Sequence, residues 1–367
     1  MIKFTSLALL SIIAGFSFGQ CNGFAPLCSK KYNEVAYLTT HNAFANTATG
    51  FTLPNHHTSI TEQLNGGVRA LMLDLYDVGG VVTVYHGITI TGTAPFTSNL
   101  NEIKDFLDAN PNEIVTIILE SYVTPDAIEA DLTAVGLMPY LFEKGSDPWP
   151  ALQEMIDDGR RLVIFSDKDE ASPSQGWHHY LWDHAVETDF SYADVSEFSC
   201  DLNRGDVSNE LFILNHFVTD ATLGVAAEAQ AEIANANPFF INRCNECETL
   251  HSKMINFPTV DFFPIGDELA VVNELNNLGD LSTEENLNTT SVIINSNWIN
   301  ETIQVKTSAE ISEGKYSILT LTGQTIQAGS INSLETTLST SSFKAGIYII
   351  SITEKSSIIK HQKIIIK

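Results

Sequence analysis

Two histidines set in short polar runs are the residues of this chain best suited to proton chemistry. One lies in Thr39-Thr40-His41-Asn42 and the other in Tyr85-His86-Gly87. An imidazole titrates near neutrality, so it can take a proton from one oxygen and return it to another. Asp74, with Tyr76 and Asp77 just beyond, and Glu120 also follow apolar runs. Asn42, Asp74 and Glu120 offer hard oxygen donors of the kind a divalent cation such as calcium takes. Each residue alone has a plainer use: a hydrogen-bonded structural histidine, an aspartate capping the next helix, a glutamate on a solvated loop. Four successive strand-like runs ending in such groups favour one shared site.

The elements that must position them alternate in type. Val35–Leu38, Ala70–Leu75, Val81–Tyr85, Val115–Leu119, Leu162–Phe165, Leu211–Leu214 and Val260–Phe263 are short, apolar and strand-like, with an eighth run at Ala185–Thr188. Between several of them lie amphipathic stretches such as Leu100–Leu107, Thr124–Val135 and Val225–Ala234. Apolar strands separated by helices predict an α/β fold with a parallel sheet covered on both faces. Eight strands fit a closed (β/α)8 TIM-like barrel over residues 21–275, whose chemistry sits where the strands end. A linker is expected over 276–290, rich in Asn, Thr and Glu. Beyond it, residues 291–367 break into short β-rich runs at Ser291–Ile294, Thr302–Lys306, Tyr316–Leu321, Thr325–Ser330, Gly346–Ile352 and Ser357–Ile366, the pattern of a small all-β sandwich.

Residues 1–20 read as a secretory signal peptide, with Lys3 ahead of an apolar stretch too short to span a membrane. Cys21 also invites a lipoprotein reading, which Phe18, Gly19 and Gln20 fit poorly. In an exported chain the five cysteines imply disulfides rather than zinc ligands. Cys21 with Cys28 closes a short loop, and Cys200 pairs with Cys244 or Cys247. The net charge is −26, and it is uneven. From Asn288 onward seven lysines face five acids, whereas from Cys21 to Leu287 eleven Lys and Arg face forty acids, 11 − 40 = −29. Such a field excludes nucleic acid as partner and gives no steering toward anionic membranes.

At higher resolution the runs become specific. Ser59 to Asp74 (SITEQLNGGVRALMLD), with the Thr-His-Asn and Tyr-His-Gly segments and the stretches Ile114–Tyr122, Arg161–Ser166, Ser199–Arg204 and Val260–Asp267, resembles the X-domain of phosphatidylinositol-specific phospholipase C. The likeness covers about residues 21–275. It implies phosphodiester cleavage by two histidines, carried over to His41 and His86, with Asp261 a candidate partner that orients one of them. It also implies a divalent metal, calcium in kind, at Asn42, Asp74 and Glu120, although Met72 stands where a further carboxylate is expected. Thioether sulfur is a poor ligand for a hard cation. Lys168 and Arg204 are candidate substrate contacts. His178, His179 and His184, grouped around Trp177 and Trp182, read as packing residues, and His56-His57 as loop residues over the site. The tail, through Phe343-Lys344-Ala345-Gly346-Ile347-Tyr348 and its basic-apolar last strand, resembles the type A sorting domain of type IX secretion. The expectation is therefore a monomeric, secreted or surface phosphodiesterase acting on phosphatidylinositol or a related lipid. The competing readings are a glycerophosphodiester phosphodiesterase and a surface-binding barrel of weakened activity.

Overall fold

The computed structural model describes residues 20–87, 89–172, 174–220, 225–278, 292–297, 302–307, 314–320, 325–331, 333–344, 346–354 and 357–366. The expected signal peptide and most of the expected linker lie outside the described residues. The chain divides into two compact units, Met1–Gly279 and Asp280–Lys367.

The first unit carries, in chain order, β1 (Thr39–Thr40), β2 (Ala70–Val78), β3 (Val81–Val84), β4 (Ala94–Pro95), β5 (Val115–Ser121), β6 (Leu162–Ser166), β7 (His178–Tyr180), β8 (Ala185–Glu187), β9 (Leu211–Asn215), β10 (Thr219–Asp220), β11 (Val225–Ala226) and β12 (Phe257–Val260). Eight of these form one parallel ladder in the order β7-β6-β5-β2-β1-β12-β9-β8. Taken as a ring, that order follows the chain, which is the TIM-like arrangement the alternating pattern predicts. The ring is not closed by hydrogen bonds, because no β7–β8 pairing occurs among the described residues. Both strands are only three residues long.

One expected barrel strand is something else. Val81–Val84 does not join the parallel ladder; it folds back antiparallel on β2, with Leu75 opposite Val84 and Val78 opposite Val81. The turn is Gly79-Gly80, with φ of 66° and 87°. Two left-handed residues are what a two-residue hairpin needs, and two glycines adopt them without steric cost. Strand β2 therefore overshoots the rim, and β3 brings the chain back to it. The ends of β1 and β12 also differ from the apolar runs by two to four residues, and β7 is not among the expected strands.

Alternation across the ladder decides which side chains point inward. On β2 Leu71, Leu73 and Leu75 pack in the layer that includes Leu100, Ile103 and Leu107 of α2 (Phe96–Ala109), while Ala70 and Met72 belong to the inner layer. On β5 Ile117 and Leu119 face out while Ile118 faces in. The inner layer also holds Tyr37, Val163, Phe165, Leu211, Ile213 and Phe257. The rings of Phe165 on β6 and Phe257 on β12 meet at 6.3 Å, although three strands separate them in the ladder, so this layer is the barrel interior. It is filled with side chains.

Disulfides join Cys21 to Cys28 and Cys200 to Cys247, and Cys244 is buried and free. The bond from Cys21 leaves no thiol there for lipidation. His178 and His179 are buried on β7, with His179 Nδ1 2.8 Å from the Ile164 carbonyl, in keeping with a packing role.

In the second unit β13 (Val292–Asn297), β14 (Thr302–Thr307) and β17 (Glu335–Ser339) form one antiparallel sheet. A second sheet has the order β16 (Thr325–Ile331), β15 (Gly314–Thr320), β18 (Gly346–Glu354) and β19 (Ser357–Ile366). Ile303, Val305 and Leu338 from the first pack with Ile318, Ile350, Ile352 and Ile364 from the second, which makes the expected sandwich.

Candidate active site

Extending the inward alternation beyond each strand's apolar part predicts which polar groups meet at the C-terminal mouth. From Tyr37 and Thr39 the next inward residue is His41, and from Ala70 and Met72 it is Asp74. By the same count come Glu120 after Ile118, Asp167 after Phe165, Glu187 after Ala185, Asn215 after Ile213, and Asp261 after Phe257 and Thr259. Six of these seven, with Asn42, Met72, His86, Arg204 and Phe217, line a cavity of about 110 Å³. Asp261 lies just behind His41. Ladder register sets Asp74 directly beside Glu120.

His41 is held on every side. Its Nδ1 lies 3.1 Å from Asp261 Oδ1, and its ring stacks on Phe217 at 3.8 Å with planes 10° apart. Its backbone carbonyl accepts from His56 Nε2 at 2.7 Å, while the Phe263 amide donates to His56 Nδ1. Complete burial lowers the His56 pKa to about 4, so that ring is neutral and its donor role is fixed. His86, delivered by the hairpin rather than by a barrel strand, faces His41 with ring centroids 6.4 Å apart. Partial burial, then the neighbouring His41, lowers its pKa, while Glu120 and Asp261 pull the other way.

The opposite wall is acidic. Asp74 is 6% exposed and has no hydrogen bond or ion pair among the described residues. Burial, reinforced by Glu120 and Asp167, holds its pKa well above the usual carboxylate range. Asp167 is likewise raised by burial, partly offset by the bond its Oδ1 accepts from the Ser121 amide at 2.9 Å. Glu120 accepts from Tyr122 Oη at 2.6 Å, and Tyr122, Tyr76 and Tyr85 stack in series at 4.6 and 4.0 Å. Arg204 reaches the cavity bound to Glu187, its guanidinium against Trp182 at 4.6 Å and Phe190 at 4.8 Å. Glu187 in turn accepts from Asn215 Nδ2 at 3.1 Å. Lys168 lies outside the lining, over the Tyr122 ring at 5.3 Å.

The donors suit a hard divalent cation in kind, since Asn42, Asp74 and Glu120 bring amide and carboxylate oxygens. Asp74 is buried with no partner among the described residues, which leaves its oxygens available to a cation, whereas the unsatisfied Asn42 atom is its amide nitrogen, a donor that cannot ligate one. The set is short in number, and among the described residues no three His, Cys, Asp or Glu side chains are grouped as a metal site.

Comparison with known proteins matches this arrangement to a family: residues 27–276 fit the PI-PLC X model. The chain belongs to the PI-PLC X family. A PI-PLC X domain-containing protein of Arabidopsis thaliana is 30% identical over 260 residues, which cover 64% of this chain and 59% of that protein, so the chain spans less than two thirds of that relative. PI-PLC X domain-containing protein 1 of Arthroderma benhamiae is 28% identical over 282 residues, covering 70% of this chain and 90% of the relative. A mutant of the phosphatidylinositol-specific phospholipase C of Staphylococcus aureus aligns at 14% identity over 68% of this chain and 95% of its own, with a TM-score of 0.48. Residues 297–367 match a secretion system C-terminal sorting domain, which marks the chain for export to the cell surface or beyond. No helix among the described residues is long and apolar enough to cross a membrane. Asp167, Glu187, Asn215 and Phe217 line the candidate site and Asn55 bonds Asp261 at 2.9 Å, and strand-end reading singled out none of the five. Inward alternation finds three of them.

Proposed function

We propose that this chain is an exported phosphodiesterase that cleaves phosphatidylinositol or a related lipid by two-histidine acid–base catalysis. The observation that supports it is the placement of His41 and His86 across one mouth, with Asp261 behind His41. With Nδ1–H directed at Asp261, His41 Nε2 is free to take the proton of the attacking inositol hydroxyl. That oxygen bonds to phosphorus, the bond from phosphorus to the glycerol oxygen breaks, and His86 protonates the departing oxygen. Water then opens the cyclic phosphate with the two roles exchanged. Arg204, held by Glu187, is the fixed positive charge facing the phosphate. A divalent cation, calcium in kind, would be held by Asn42, Asp74 and Glu120 and would offset phosphate charge. The sorting domain would engage the type IX secretion machinery. The test is release of water-soluble inositol phosphate from lipid, with and without chelator. His41→Ala and His86→Ala should each lose about 10²–10⁴-fold. Near-wild-type turnover by either variant would end the two-histidine reading.

A further inference from the structure

The segment Asn55-His56 stands apart from the proposed chemistry yet touches it twice. His56 holds the His41 backbone, as described above. Asn55 is 4% exposed, and its Nδ2 lies 2.9 Å from Asp261 Oδ1 and 3.3 Å from His41 Nδ1. An ionised carboxylate only accepts, so the Asn55 atom facing it is the NH2 group. The shorter, charge-assisted contact is the one to Asp261. The Asp261 Oδ2 atom is buried with no partner, and apart from His41 no other described side chain bonds this carboxylate.

We propose that Asn55 is a positioning residue that pins the Asp261 carboxylate and thereby fixes the tautomer of His41. Two acceptor lone pairs facing each other at 3.1 Å would repel, so a fixed Asp261 Oδ1 demands a proton on His41 Nδ1. Nε2 is then the acceptor that opens on the mouth. Without the amide, Asp261 keeps no side-chain hydrogen bond among the described residues except that to the imidazole it should orient. Its carboxylate can rotate, and the choice between the two neutral forms of His41 is lost. The loop itself does not depend on the side chain. The Asn55 amide donates to the Ala45 carbonyl at 2.7 Å, and its carbonyl accepts from the Phe262 amide at 2.7 Å, through backbone atoms that any substitution keeps.

The tautomer part stands without substrate, and only its kinetic consequence rests on the proposed function. The experiment is nitrogen-15 NMR of the His41 ring in the full chain, above the pH at which imidazole is protonated. Wild type should show a protonated, pyrrole-type Nδ1 and a pyridine-type Nε2. Asn55→Leu, which keeps about the same volume but removes the donor, and Asn55→Ala should both give a mixed signature. On inositol phosphate release both should lower kcat by about 10²-fold, the scale of a misaligned reacting group, with KM unchanged. A wild-type ring protonated at Nε2, or variants that both keep the wild-type signature, would overturn the proposal. Changed signatures in a chain whose wild type hydrolyses no lipid would sink the proposed function and leave the role of Asn55 in place.

Discussion

Replacing Asp74 by asparagine separates what the acidic wall costs from what it does. Asp74 is buried without a hydrogen bond or ion pair, beside Glu120 in register and near Asp167. Its carboxyl holds its proton more tightly folded than unfolded, where the reference value is 3.8. The sign follows: the stabilising contribution is full below that value and is lost as pH rises through the window toward the raised folded value. Near neutrality the folded protein therefore bears a cost that is absent in acid, as a disfavoured charge or as the proton taken up to avoid it. An asparagine in its place would have nearly the same shape and no charge. A buried polar group without a partner costs about 1–3 kcal/mol, and removing the charge should recover an amount of that order. For a unit of this size about 2–4 °C accompanies each kcal/mol. Asp74→Asn should thus raise the metal-free Tm at pH 7 by roughly 2–12 °C, and the gain should vanish toward pH 4. Calcium should raise the Tm of wild type and leave the variant unmoved. Thermal unfolding at several pH values, with calcium and with chelator, is the assay. A variant less stable than wild type at pH 7, or one with the same calcium response, would refute the reasoning.

The Cys200–Cys247 bond spans 47 residues, so Cys200→Ser with Cys247→Ser should cost about 4 kcal/mol by chain entropy; a denaturant midpoint close to wild type would contradict this. A chain ending after Leu278 should keep its thermal transition and its activity, because every proposed site residue precedes that point; aggregation would show that the units depend on each other. With 40 acids against 11 bases over residues 21–287, initial rates at low salt should fall as vesicles are made more anionic, and rates that climb would refute the repulsion. Burial and His41 lower the His86 pKa, so kcat/KM should decline as pH rises through a value below 6.5, and a plateau extending above neutrality would exclude His86 as the acid.

How much of this is legible in the sequence depends on which physical rule is applied. The alternation of apolar runs and helices points to the barrel, because burial on both faces leaves parallel strands almost no other composition. Strand ends point to His41, Asp74 and Glu120. The same reasoning points to Lys168, one residue away from Asp167. In a strand the side-chain period is two, so a slip of one residue moves a group to the opposite face. Counting inward from Val163 and Phe165 lands on Asp167 and leaves Lys168 outside the lining, over Tyr122. The identical count yields Glu187 and Asn215. The Gly79-Gly80 pair carries a hairpin signal that the apolar run after it masks, so His86 follows a strand that does not belong to the ring. Asn55 and Phe217 carry no local signal. Each matters only through a residue brought near by the fold, Asp261 for one and His41 for the other, at sequence separations of 206 and 176.

These contacts divide the two histidines into unequal partners. His41 is fixed by a carboxylate, a backbone bond to His56 and a stacked Phe217, and nothing in that clamp requires substrate. His86 sits at the end of a hairpin, and burial together with His41 makes its charged form unfavourable in the free protein. Under the proposed function, a phosphodiester between the rings would reverse that balance, since its negative charge favours an imidazolium on whichever side carries the proton. The acid would then be charged by the arrival of the group it must protonate. The acidic wall and the depressed His86 are on this view one arrangement. Under the proposed function, the carboxylates would keep stray anions from the rings, and a ligand that brings its own charge into the mouth, or a cation that offsets theirs, would complete the acid–base pair.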